Sequence, residues 1–182
     1  MKRERPRRLD FEIDKITNSI ENTFSGENVE TEIIRLGPQD TIILKKLQWL
    51  FDWDKEFRKP SREIYALIAK GNHAIWHGLV SATDEPDHIF MHLIESAPFN
   101  MGRDKLFAGV MGNLVAFLCK SSFEKGYRGA VVFEAKTRLI EHYKKELGAQ
   151  LYTPTRMFID TREARKLVRQ YFPNFNYDRD RF

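Results

Sequence analysis

The chain has 182 residues, 42% of them hydrophobic and 31% charged, and carries a formal net charge of +4. That length suits one domain with one sizeable core, and this much apolar material excludes a wholly disordered chain. No apolar run nears the roughly 18 residues of a membrane span, a single cysteine (Cys119) excludes an internal disulfide, and no Cys/His cluster has zinc spacing, so a reducing cytoplasm and no structural metal are expected.

Residues 1–8 hold Lys2, Arg3, Arg5, Arg7 and Arg8 against Glu4, which accounts for the whole excess charge and leaves 25 basic and 25 acidic residues from position 9 onward. A frayed basic arm followed by a single domain over 9–182 is the expectation. A neutral body offers no broad stripe to follow a phosphate backbone, which disfavours nucleic acid as a partner. After the arm, Ile13, Ile16, Ile20 and Phe24 recur at helical spacing, and Ser25-Gly26 supplies a stop, so a helix over 10–23 is predicted. Val29 to Leu36 reads as a strand that Gly37-Pro38 ends. Pro38 suits the first turn of a helix, which Ile42, Ile43, Leu47, Leu50 and Phe51 furnish with an apolar stripe and Trp49, Trp53 and Phe57 with aromatic cover.

Three strand-like runs follow at 63–70, 74–82 and 88–95, separated by Gly71-Asn72 and by Asp84-Glu85-Pro86-Asp87, and such turns predict an antiparallel meander. If Thr83 opposes His88 across the second hairpin, His77 and His92 become diagonal neighbours on one face. With no carboxylate or cysteine spaced to complete a metal site, they read as half-buried structural histidines. A helix is predicted over 106–125, closed by Gly126, with Cys119 in its core face; then come a buried strand at 130–135 and a helix over 137–147 closed by Gly148. A strand at 156–160 leads into a last helix, opened by Asp160 and Glu163 as a capping box. The order is that of a mixed α/β protein.

The segment from Glu95 to Leu114 leaves a strand, passes Pro98, Gly102, Arg103 and Lys105, and enters a helix whose first turns hold Gly109 and Gly112. Helix N-termini offer free N–H groups and a positive dipole end, and glycine lets an anion approach the backbone, so a pyrophosphate suits this loop. Two glycines three residues apart also serve close helix packing.

With these elements in this order, the chain resembles the GNAT superfamily of acyl-CoA-dependent N-acyltransferases over about residues 29 to 160, and over its full length a bacterial branch of it. The family loop reads Gln or Arg, two residues, Gly, one residue, Gly or Ala; Leu106-Phe-Ala-Gly109-Val-Met111 matches at Gly109, with Gly112 one step beyond. Leu106 brings no side-chain donor, so Arg103 or Lys105 takes over that charge. Lys136 to Ala149 is similar to the family helix that ends in tyrosine ahead of glycine, with Lys136 for its leading Asn and one residue inserted before Gly148. The resemblance implies a GNAT-like α/β fold, with a mostly antiparallel mixed sheet flanked by helices and extra helices at both ends. It also implies acetyl-CoA as cofactor, held by Ile94, Ser96, Asn100, Gly102, Arg103, Lys105, Gly109, Gly112 and Lys136.

Amine acylation needs a neutral nucleophile, a stabilised oxyanion and a proton for the leaving thiolate. The resemblance makes Tyr143 the acid, otherwise a core tyrosine, and Glu95 at the end of the third meander strand takes the amine proton, unless it is a strand-end carboxylate in solvent. The expected function is N-acetyl transfer to an amine acceptor that the sequence does not name. The departures at Leu106, Met111 and Lys136 keep open a catalytically inactive GNAT-like binding or regulatory module, with a second copy or another protein as its partner.

Overall fold

A computed structural model describes residues 19–177. Among them nine strands form one sheet in the order β6-β1-β2-β3-β4-β5-β7-β9-β8. In chain order these are β1 (Ser19–Asn22), β2 (Asn28–Leu36), β3 (Glu63–Ala69), β4 (Trp76–Asp84), β5 (Ile89–Ser96), β6 (Phe107–Ala108), β7 (Val131–Glu134), β8 (Gln150–Leu151) and β9 (Arg156–Ile159). The helices are α1 (Thr41–Leu44), α2 (Trp53–Phe57), α3 (Val110–Glu124), α4 (Ile140–Leu147) and α5 (Thr161–Tyr171). Every strand pair is antiparallel except β5 with β7. This is the expected mixed, mostly antiparallel sheet flanked by helices, and no helix among the described residues is long and apolar enough to cross a membrane.

The central strands are apolar on both faces because each face carries a core. On one side α3 lays Leu114, Val115, Leu118 and Cys119 against Leu67, Val80, Met91 and Phe133, and α5 adds Leu167 and Val168. On the other, Leu44 and Trp53 from the short helices cover Ile64, Ile68, Trp76 and Leu79. Helix α5 starts where its sequence signal lies, with the Asp160 carboxylate accepting from Glu163 N at 2.9 Å. Cys119 is buried, and burial pushes its thiol pKa up, so it behaves as a small apolar residue.

Four expectations need correction. The predicted helix over 10–23 lies mostly outside the described residues, as does the basic arm, but its last part, Ser19–Asn22, is strand β1. Ile20 is fully buried while Phe24 is 76% exposed, so the two share no stripe. The helix predicted after Pro38 stops at Leu44: Ile42 and Leu50 are 72% and 74% exposed, and the chain restarts as α2 only where Asp52 accepts from Lys55 N at 2.9 Å. The helix predicted from 106 starts at Val110, because pairing with β1 draws Phe107 and Ala108 into a strand. Finally, Thr83 faces Phe90 rather than His88, and a bulge beside Ser81 and Ala82 shifts the register so that Leu79 faces Glu95 and Val80 faces Ile94.

The register change separates the two histidines. His77 is enclosed by Phe99 and Phe107 and faces Asn100, whereas His92 Nε2 lies 2.6 Å from Arg62 Nη1 and 2.8 Å from Thr83 Oγ1. A guanidinium only donates, so His92 Nε2 accepts and the ring is neutral. Arg62 also pairs with the buried Glu56 at 2.8 Å. Burial would raise the Glu56 pKa, but hydrogen bonds from Lys59 and Ser81 and the charge of Arg62 outweigh it and hold the pKa down.

Burial pulls both histidine pKa values down to about 4, with Arg62 contributing at His92. Between the unfolded value of about 6.5 and the folded value, the unfolded chain binds more protons. Stability is therefore full above about pH 6.5 and falls as pH drops towards 4, by at most about 1.4 kcal/mol per pH unit for each histidine. Urea unfolding at pH 7 and pH 5 should show this loss, and His92→Gln should remove about half of the slope. An equal midpoint at the two pH values would show that neither ring is held neutral.

Candidate functional site

Strand β5 pairs with β7 only through Ile89, Phe90 and Met91. Beyond Met91 the two diverge, since β7 ends at Glu134 and Ala135 N donates to Thr155 O on the far side. The free edge of β5 opens onto a cavity of about 770 Å³, within the usual range for small-molecule sites. Ile94 and Ser96 line it from β5, residues 109–112 from the start of α3, Tyr143 and Leu147 from α4, and Leu167, Gln170 and Tyr171 from α5.

The start of α3 forms part of the wall of this cavity. Gly109 is its N-cap in the left-handed region (φ 88°), and the first intrahelical bond runs from Asn113 N to Gly109 O at 3.0 Å. The amides of Val110, Met111 and Gly112 therefore have no acceptor within the helix, and all three residues line the cavity together with Lys105. Gly112 has a packing duty as well: a Cβ there would overlap the Tyr171 phenol, so glycine lets that side chain lie against the first turn of α3. The packing reading of the glycine pair therefore holds at Gly112, while Gly109 lines the cavity.

Asn100 fixes the approach to this helix. Its side chain is buried; Nδ2 donates to His77 O and Oδ1 accepts from Phe107 N, each at 3.2 Å. Tyr143 stands edge-on to Phe133, with ring centroids 5.2 Å apart, and burial raises its pKa, so the phenol keeps its proton at neutral pH.

The cavity thus gathers Ile94, Ser96, Asn100, Lys105, Gly109, Gly112 and Tyr143. It does not gather Gly102, Arg103 or Lys136, which are exposed and line no part of it, and Leu106 is 40% exposed. Glu95 points elsewhere. The residue is 4% exposed, so its carboxylate is not a strand-end group in solvent, and it accepts from Leu50 N at 2.5 Å, Phe51 N at 3.2 Å and Trp53 Nε1 at 2.8 Å. It faces Leu79 across the β4–β5 pair and does not line the cavity.

Sequence reasoning missed the α5 contribution, because an apolar helix face carries no sign of where it docks. His142 also lines the cavity beside Tyr143, with ring centroids 5.6 Å apart. The spacing of His142, Lys145 and Glu146, one face of a helix, was the available signal. Among the described residues, no group of three or more His, Cys, Asp or Glu side chains is placed to hold a metal ion.

No protein-family model and no curated protein matches the sequence. Solved structures do match in shape. The structure of the AtaT–AtaR complex bound to DNA gives a TM-score of 0.55 at 15% identity, over 75% of this chain and 98% of that one. AtaTR bound with AcCoA gives 0.53 at 14%, over 75% and 97%, and the KacTA–DNA complex 0.51 at 14%, over 76% and 98%.

Proposed function

For a chain with the fold of the GNAT acetyltransferases, we propose acyl-CoA-dependent N-acyl transfer, with an acetyl group as donor and an amine as acceptor. The observation that carries this reading is the meeting, in one cavity, of the free edge of β5, the unpaired first-turn amides of α3 and the protonated phenol of Tyr143. The residues fit an acyl-CoA: a left-handed glycine, three helix N-terminal amides and Lys105 suit a pyrophosphate, and Ile94 with Leu147 and Leu167 suits an apolar arm. When bound, that group supplies an acyl carbon activated by a thiolate leaving group. Tyr143 holds a proton on Oη for that sulfur. Phe133 packs edge-on against the half-buried Tyr143 ring and orients it at the cavity wall, and Asn100 keeps the loop ahead of Gly109 in place.

A catalytically silent module with the same fold is the second reading, favoured by the position of Glu95: its carboxylate is taken up by backbone and indole donors on the other face of the sheet. The charge balance from position 9 onward is neutral, which disfavours nucleic acid as a partner of the body of the chain.

Calorimetric titration with CoA and acetyl-CoA tests the first reading, and absence of heat at millimolar CoA would defeat it and leave the module. Thiol release from acetyl-CoA in the presence of a panel of amines then separates enzyme from module. If the protein is an enzyme, Tyr143→Phe keeps the ring and its contact with Phe133 but loses the proton, and turnover should fall at least about tenfold with CoA affinity unchanged. Single-turnover rates equal to wild type would remove the acid role.

A further inference from the structure

The segment from Lys105 to Gly109 delivers the chain to the first turn of α3, and its backbone is held from two sides. On the inner side, Leu106 N donates to Phe99 O at 2.9 Å and Phe107 N to Asn100 Oδ1 at 3.2 Å. On the outer side stands β1, which precedes the part of the chain that resembles the acyltransferase family. Asn22 pairs with Phe107 and Glu21 with Ala108. Thr23 then closes the ladder: its amide donates to Leu106 O at 2.9 Å, and its hydroxyl donates to Lys105 O at 2.5 Å with Leu106 O at 3.2 Å. The strand is anchored in turn, because Ile20 is fully buried and Ser19, Ile20 and Glu21 pair with Glu30, Val29 and Asn28 of β2.

Amides that bind an anion must point at it before it arrives; otherwise ordering the loop is subtracted from affinity. Leu106 brings no donor of its own to this loop, which leaves recognition to backbone groups and Lys105, and backbone groups act only if the backbone is fixed. We propose that β1 is part of the acyl-CoA site: it straps the Lys105–Gly109 segment, and Thr23 is a positioning residue that sets the aim of the α3 amides without touching the ligand. This rests on the reading of the cavity as an acyl-CoA site.

The test compares Thr23→Val, which keeps the shape and loses the hydroxyl, with Thr23→Ser, which restores it. Thr23 is exposed, so both variants should fold with melting temperatures close to wild type. Thr23→Val should weaken CoA binding roughly fivefold in calorimetry and speed hydrogen exchange over residues 105–109, and Thr23→Ser should match wild type in both. Unchanged exchange in Thr23→Val overturns the strap. Faster exchange with unchanged CoA affinity overturns its role in binding. If wild-type protein binds no CoA, the acyl-CoA reading fails and the role in binding falls with it, while the exchange comparison still decides whether Thr23 holds the loop.

Discussion

Gly109→Val should abolish the heat of CoA binding while the protein stays folded. Gly109 has φ 88° and ψ 1°, a left-handed conformation that strains a residue with a branched Cβ by about 1–3 kcal/mol. The position is the N-cap of α3, so relief of that strain moves the amides of Val110, Met111 and Gly112 together. The same residue lines the cavity, and a side chain there competes with whatever approaches the helix end. Gly109→Asn separates the two effects, since asparagine tolerates this conformation better than valine. It should retain the melting temperature and part of the affinity. Valine binding CoA as tightly as wild type would remove the α3 terminus from the site.

Glu95→Ala should cost about 3 kcal/mol of stability, and thus lower the melting temperature by about 6–12 °C. Three donors lose their acceptor at once. The indole N–H of Trp53 is buried and has no route to water, while the amides of Leu50 and Phe51 lie nearer the surface and recover part of the loss. Glu95→Gln keeps the volume and one acceptor oxygen but turns an NH₂ towards those donors, so about half of the loss should remain. CoA affinity should not change in either variant, because the carboxylate lies outside the cavity. A loss below about 1 kcal/mol would show that the 50–53 segment does not depend on Glu95. Loss of CoA binding without loss of stability would place Glu95 in the site after all.

The position of Glu95 also explains the failed helix after Pro38. Its apolar residues have helical spacing, but a buried carboxylate captures the amides of Leu50 and Phe51, and Asp52 then caps a new helix, so two side-chain acceptors reorganise a segment whose pattern alone favours continuity. The candidate site was legible where the signal was chemical. Gly109, Lys105 and Tyr143 stand at a strand-to-helix loop and on a helix that ends in glycine, and they share the cavity. It was not legible at Lys136 and Arg103, whose charge fitted the expected ligand but whose backbone positions lead them into solvent.

The sequence by itself determined β2 to β5, β7 and β9, the bodies of α3 and α4, and the cap of α5. Their information is local, in periodicity, glycine stops and an Asp N-cap, and is present before the chain folds. Tertiary structure decided the rest. Four residues, Ser19–Asn22, become a strand only because β2 and β6 flank them, and the bulge beside Ser81 moves Glu95 and the two histidines to partners that no spacing names. Tyr171 reaches the first turn of α3 only because Gly112 admits it. Pairing register and close approach join residues far apart in the chain, and their free energy arises only when both surfaces exist, so a pattern read along one segment does not contain it.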